Sequence, residues 1–233
     1  MTKKMGISRV KENVLFIAPH PDDETLGCGG TIFKHKEAGD SINWLLVTEP
    51  NSKVGFNKDY IKNKKQEINK VLKFFKFDQT IRLKLNTTKL ETYPIADLTK
   101  KISNVLHKIQ PTIVYVPFPG DAHTDHEVVF KTSLASCKWF RFFGIKCIRA
   151  YETLSETNFN VNPLSQNFKP NLYINISQQM EKKLEGISIY KSEIDSHPFP
   201  RSKDSIKALA ELRGSESGFT FAESFLIIKQ IED

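Results

Sequence analysis

Strand-length and helix-length patterns alternate along nearly the whole of this chain, and that alternation limits what it can fold into. Val14–Ala18 is a continuous apolar run of strand length. Leu26–Ala38 then reads as a helix and meets Gly39, a residue suited to ending one. Ile42–Thr48 is strand-like, and Tyr60–Phe75 places Ile61, Ile68, Val71, Leu72 and Phe75 at helical spacing. After the short strand Ile81–Leu85, Pro94 opens a helix through Ile109 with the apolar stripe Ile95, Leu98, Ile102, Val105, Leu106 and Ile109. Thr112–Val116 is a fourth strand and His126–Ser136 a further helix. Cys147–Tyr151, Leu172–Ile176 and Ser224–Ile228 read as later strands. Helices are predicted from a Ser177 cap through Ile194 and over Ser205–Leu212. This pattern predicts an α/β fold: a Rossmann-like, mainly parallel sheet with helices on both faces. No internal repeat or linker composition interrupts it, so residues 1–233 read as one domain. The polar, Asn-rich stretches 48–59 and 158–170 are expected as loops at the rim of a site.

Ligands of such sheets bind beyond the carboxyl ends of the strands. Two clusters fall there. His20-Pro21-Asp22-Asp23-Glu24 follows the first strand, and His123-Thr124-Asp125-His126 follows the fourth. Adjacent carboxylates in a crevice repel each other and lose hydration, and a divalent cation relieves both costs. His20 and Asp23 are three residues apart, as are His123 and His126. A shell of His20, Asp23 and His126 leaves an open position for water, the pattern of a catalytic zinc site. Asp22 is then free to act as general base, and a protonated His123 to stabilise an oxyanion or protonate a leaving amine. Asp125 is expected to hold His123 in its tautomer. Iron(II) and cobalt(II) also suit such ligands. The remaining histidines divide: His35 and His107 are expected as solvated helix residues, and His197 as a loop residue able to touch substrate.

Bulk properties exclude several classes. With 39% hydrophobic and 26% charged residues the chain is neither disordered nor low in complexity. No apolar stretch approaches the roughly 20 residues of a membrane span, and the basic start is not followed by a signal-like apolar segment. Three cysteines without paired spacing fit reduced thiols. The expected location is cytoplasmic, with at most peripheral membrane contact. The net charge of +7 is spread over scattered lysines, compatible with solvated helix faces or with attraction of an anionic substrate. There is no arginine-rich arm or aromatic-basic repeat, so nucleic acid is not an expected partner. Gly27-Cys28-Gly29-Gly30 lacks the spacing of a dinucleotide-binding turn, and its acidic neighbours would repel a pyrophosphate. Close packing and a tight turn account for these glycines.

From Ala18 to Gly30, through the motif Pro19-His20-Pro21-Asp22-Asp23-Glu24, and again at His123-Thr124-Asp125-His126, the chain resembles the PIG-L/LmbE-like family of zinc-dependent N-deacetylases. The likeness continues through Tyr173–Ser177, Tyr190-Lys191-Ser192-Glu193, Arg213-Gly214 and Phe221–Phe225. It implies the LmbE-like fold, zinc on His20, Asp23 and His126, Asp22 as base, and His123 with Asp125 as an acid and electrostatic pair. The implied reaction removes the acetyl group from an N-acetylglucosamine-like sugar, releasing acetate and an amine. Alternatives are an amidase acting on a thiol conjugate or other amide, and a sugar-binding or assembly subunit without turnover. Many members of the family are oligomeric. Lys64 stands where the family often has an arginine that binds substrate, and the two are not equivalent as bidentate donors. Asp121, Tyr190 and His197 are further candidates for substrate contact. Gly120–His123 and Tyr151–Thr157 resemble a bacterial subgroup associated with surface polysaccharides, which implies a nucleotide- or lipid-linked acetamido sugar.

Overall fold

The computed structural model describes residues 10–161 and 167–232, so part of the predicted loop 158–170, namely 162–166, lies outside the described residues. Seven strands form one sheet: β1 (Asn13–Ala18), β2 (Ser41–Glu49), β3 (Gln79–Asn86), β4 (Ile113–Pro117), β5 (Cys147–Tyr151), β6 (Leu172–Asn175) and β7 (Ala222–Gln230). Their order is β3-β2-β1-β4-β5-β7-β6. Parallel pairing runs from β3 to β5, and β7 alone is reversed, antiparallel to both of its neighbours. The mainly parallel sheet follows from the alternation in the sequence.

The helices are α1 (Asp23–Glu37), α2 (Lys58–Phe75), α3 (Ile95–Ile109), α4 (Thr124–Ser136), α5 (Met180–Ile187) and α6 (Lys203–Ser215). Strand side chains alternate between two cores. Val14, Phe16, Ile42 and Trp44 meet Ile32 of α1, Ile68 and Val71 of α2, Ile187 of α5 and Ile206 of α6. Leu15, Ile17, Leu45 and Val47 meet Leu98, Ile102 and Leu106 of α3 and Val128 and Val129 of α4 on the other face. Helices therefore cover both faces. The chain winds outward from β1 through β2 to β3, then returns to place β4 on the other side of β1. The carboxyl ends of β1 and β4 flank that reversal, where open α/β sheets form their crevice.

Three local readings change. α1 begins at Asp23 rather than Leu26; Gly27 and Gly30 lie inside it, as in the predicted helix, and close packing rather than a tight turn accounts for them. The Gly27 site has no room for a side chain, because a Cβ there would lie 2.3 Å from the Tyr151 ring. Ser177 caps no helix: its hydroxyl accepts from Phe221 N at 3.1 Å, and α5 ends at Ile187 instead of Ile194. Tight turns over residues 188–193 replace the last predicted helical turns and bring Ser192 and Glu193 against α2. His35, expected in solvent, is buried between Asp40 at 2.7 Å and the Tyr115 hydroxyl at 2.9 Å.

Candidate active site

β1 delivers His20 within two residues of its end, and Asp22 then turns the chain into α1 with φ 135°, a conformation strained for any residue with a Cβ. The Asp22 carbonyl accepts from Thr25 N and Leu26 N, starting the helix. This turn swings Asp23 back under His20: its Oδ2 accepts from His20 N at 2.8 Å and lies 3.3 Å from His20 Nδ1. From the neighbouring strand end, α4 brings His126 to the same atom, with Nε2 also 3.3 Å from Asp23 Oδ2. His20, Asp23 and His126 each aim one donor atom into a common space, all within 4.8 Å of one another.

This donor set fits a cation. His126 is buried, and its Nε2 makes no hydrogen bond among the described residues, a cost that a metal bond removes. The opposite nitrogen of each imidazole is held by a carboxylate. Asp121 Oδ2 lies 2.7 Å from His126 Nδ1, and Asp125 Oδ2 lies 2.9 Å from His20 Nε2. Such carboxylates fix the ring tautomer and leave the other nitrogen's lone pair for a metal. A second group, His20, His123 and Asp125, also has metal-like spacing, but it shares His20 and uses the Asp125 oxygen that fixes that ring.

Charge is concentrated here. Burial alone would lower His20, but Asp125 and Asp23 outweigh it and raise its pKa to about 9. Burial would raise Asp23, but His126 and His20 hold it well below the usual carboxylate range. Burial pushes Asp22 well above that range, against the Arg201 guanidinium, whose Nη1 donates to Asp22 Oδ2 at 2.8 Å. Burial beside the cationic His20 lowers His123 to about 4.

Several residues sit differently from expectation. The Asp125 carboxylate does not orient His123. Its carboxylate serves His20 and accepts from Thr88 N and Leu90 N, while its backbone N–H donates to His123 Nδ1 at 3.1 Å. That bond requires an unprotonated Nδ1, so His123 is a neutral imidazole and not the expected cation. The Asp121 side chain is fully buried on His126 and Thr157, out of reach of substrate. Tyr190 is buried with its hydroxyl donating to Glu24 at 2.8 Å. Lys64 reaches the cleft wall, but its three ammonium donors face Ser192, Glu193 and Glu67. His197 lines a separate hollow with Ile194, Asp195 and Ser196.

An open cleft lies over the site, with His20, Asp22, Asp23 and His123 in its wall. Beyond His20, Asp22, Asp23 and His123 its wall includes Phe56, Tyr60, Thr87, Glu156, Glu193 and Arg201. Sequence reasoning missed Arg201, which lies only four residues beyond His197. Arg201 joins Asp22 to Glu156 at 3.0 Å and Glu193 at 3.2 Å.

The chain is 24% identical to the diacetylchitobiose deacetylase of Thermococcus kodakarensis, over 94% of its own length and 84% of that protein's. Among solved structures it superposes on the N,N'-diacetylchitobiose deacetylase from Pyrococcus horikoshii with a TM-score of 0.76 and 22% identity, covering 93% of this chain and 83% of that one. It matches the conserved protein TT1542 from Thermus thermophilus with a TM-score of 0.75 and 22% identity, covering 95% and 97%. At that identity the superpositions establish the fold alone. The sequence adds more: the model of the PIG-L family, described as GlcNAc-PI de-N-acetylase, matches residues 15–137, more than half of the chain and both histidine-carboxylate clusters. This protein is therefore a member of the PIG-L family.

Proposed function

We propose that this chain is a zinc-dependent N-deacetylase that hydrolyses the acetamide of an N-acetylglucosamine-like sugar to acetate and a free amine. One observation carries the reading: Asp23 Oδ2 faces both His20 Nδ1 and His126 Nε2 at 3.3 Å, in a cleft that Asp22 and His123 also line. The diacetylchitobiose deacetylases supply the reaction class, since both act by name on N-acetylated sugars.

His20, Asp23 and His126 would hold the zinc. When bound, zinc polarises an acyl oxygen and lowers the pKa of water to about 7. Asp22 accepts the proton of the attacking water, and its burial makes it a stronger base than an exposed carboxylate. Arg201 keeps the Asp22 carboxylate turned into the cleft. Neutral His123, with Nδ1 occupied, carries its proton on Nε2 and donates a hydrogen bond to the oxygen that becomes negative. Asp22, protonated by then, is the nearest acid for the departing amine. The wall carries four carboxylates, Asp22, Asp23, Glu156 and Glu193, against two permanent cations, Lys64 and Arg201. With a divalent ion on His20, Asp23 and His126 these charges would be close to balanced, which suits an uncharged acetamido group in the cleft.

Acetate release from free, nucleotide-linked and lipid-linked N-acetylhexosamines, measured with zinc and with chelator, tests the proposal. Zinc-restored release supports it. Zinc bound stoichiometrically with no release from any substrate would reject N-deacetylation of sugars.

A further inference from the structure

At the amino ends of the strands, away from the cleft, the loop between α4 and β5 exposes three large aromatic side chains. Trp139 is 62% exposed, Phe140 57% and Phe143 73%. Their rings form one group, Trp139 lying 6.0 Å from Phe140 and 5.9 Å from Phe143. The loop is not loose. Phe142 and Ile145 are buried in the core of that face, Phe142 packs edge-on to His107, and Arg141 N and Phe142 N both donate to Lys138 O. Anchored apolar residues thus hold the other three rings out into water, against the hydrophobic effect that would fold them in.

The charges on the loop and its flanking segments are of one sign. From residue 128 to residue 151 the sequence holds Lys131, Lys138, Arg141, Lys146 and Arg149 and not one carboxylate. Lys138 and Arg141 are exposed between the aromatic residues, and the Arg141 guanidinium stands 6.0 Å from the Phe140 ring centre. A second copy of this chain docking through the loop would bring these cations against their own counterparts. A surface of anionic lipid headgroups complements both features, accepting aromatic rings at the boundary with the acyl chains and cations at the phosphates.

We infer that the Trp139–Phe140–Phe143 loop, with Lys138 and Arg141, docks this protein on an anionic lipid surface. α4 runs from the cleft to this loop, and its 13 residues span about 20 Å. The docked protein therefore holds its cleft away from the lipid and open to water.

The chain carries its own reporter. It has two tryptophans, and Trp44 is fully buried, so a change in emission on adding lipid reports Trp139. Vesicles of phosphatidylcholine with phosphatidylglycerol should shift the emission to the blue and co-sediment with the protein, and added salt should weaken both effects. Vesicles of phosphatidylcholine alone should bind far less. Phe140→Ser with Phe143→Ser keeps the reporter and should abolish co-sedimentation. Lys138→Gln and Arg141→Gln should each weaken binding about fivefold. The absence of both an emission shift and co-sedimentation at low salt would overturn the inference, and so would equal binding to the neutral vesicles. Self-association that Phe143→Ser dissolves would overturn it in favour of a second copy of the chain.

Discussion

Two carboxylates, Asp121 and Asp125, grip the far nitrogens of the two imidazoles whose near nitrogens face Asp23. Removing either grip should loosen the ring it holds. Asp121→Ala and Asp125→Ala should each lower zinc affinity by roughly 10- to 100-fold, measured by competition with a chromophoric chelator. Asp22 differs in kind, since it touches neither imidazole. Asp22→Ala should bind zinc stoichiometrically while acetate release falls by roughly 10²- to 10⁴-fold. A variant that lost the metal instead would move Asp22 out of the base role. Residue identities let a reader nominate His20, Asp23 and His126, because metal-ligand chemistry narrows the choice of side chain. They do not say which nitrogen each carboxylate reaches. Asp125 lies two residues from His123 in sequence, yet its carboxylate crosses to a histidine 105 residues away. Thr88 N and Leu90 N complete its coordination from the segment after β3, and no spacing rule reports such contacts.

Among elements, α1 is largely buried between its neighbours. Its Gly27 faces the Tyr151 ring, which is buried and tied through its hydroxyl to Ile17 O at 2.8 Å. Gly27→Ala would gain about 1 kcal/mol of helix propensity. The ring cannot withdraw, so overpacking of about 1–3 kcal/mol prevails or at best cancels that gain. A thermal melt should therefore show no stabilisation. A raised midpoint would show that the Tyr151 ring yields. Periodicity located α2 and α3 well, because their apolar stripes are regular. It extended the Ser177 helix too far. Lys191, Ser192 and Glu193 are polar enough to continue a helix, but Glu193 is drawn to Lys64 and Arg201, and the chain turns to reach them.

For the whole molecule, protons and zinc compete for the same groups. Without metal, His20 has its pKa raised from 6.5 to about 9. A group raised on folding stabilises the folded chain fully below its unfolded pKa, and that contribution is lost as pH rises through the folded pKa. The metal-free protein should therefore lose stability between about pH 6.5 and 9. Over the same interval zinc no longer has to displace that proton, so its affinity and the rise in melting temperature that it produces should both grow. Calorimetry with and without zinc across that range checks the sign, and a zinc effect that shrinks with rising pH would contradict it. The parallel sheet was legible because every buried strand needs a continuous apolar run. The reversed β7 was not, since an apolar run is the same read in either direction.

That last strand has a bearing on how the protein is made. Glu223, near the start of β7, accepts from Gly30 N and Thr31 N of α1 and pairs with Lys183, which also donates to Leu26 O. The helix that carries Asp23 is therefore braced by a carboxylate that leaves the ribosome nearly two hundred residues later. Arg201, the partner of Asp22, also emerges late. The histidines and aspartates of the cleft are synthesised early and wait, incompletely held, until translation of the final strand is finished. Capture of the metal on that account follows the arrival of β7 rather than preceding it.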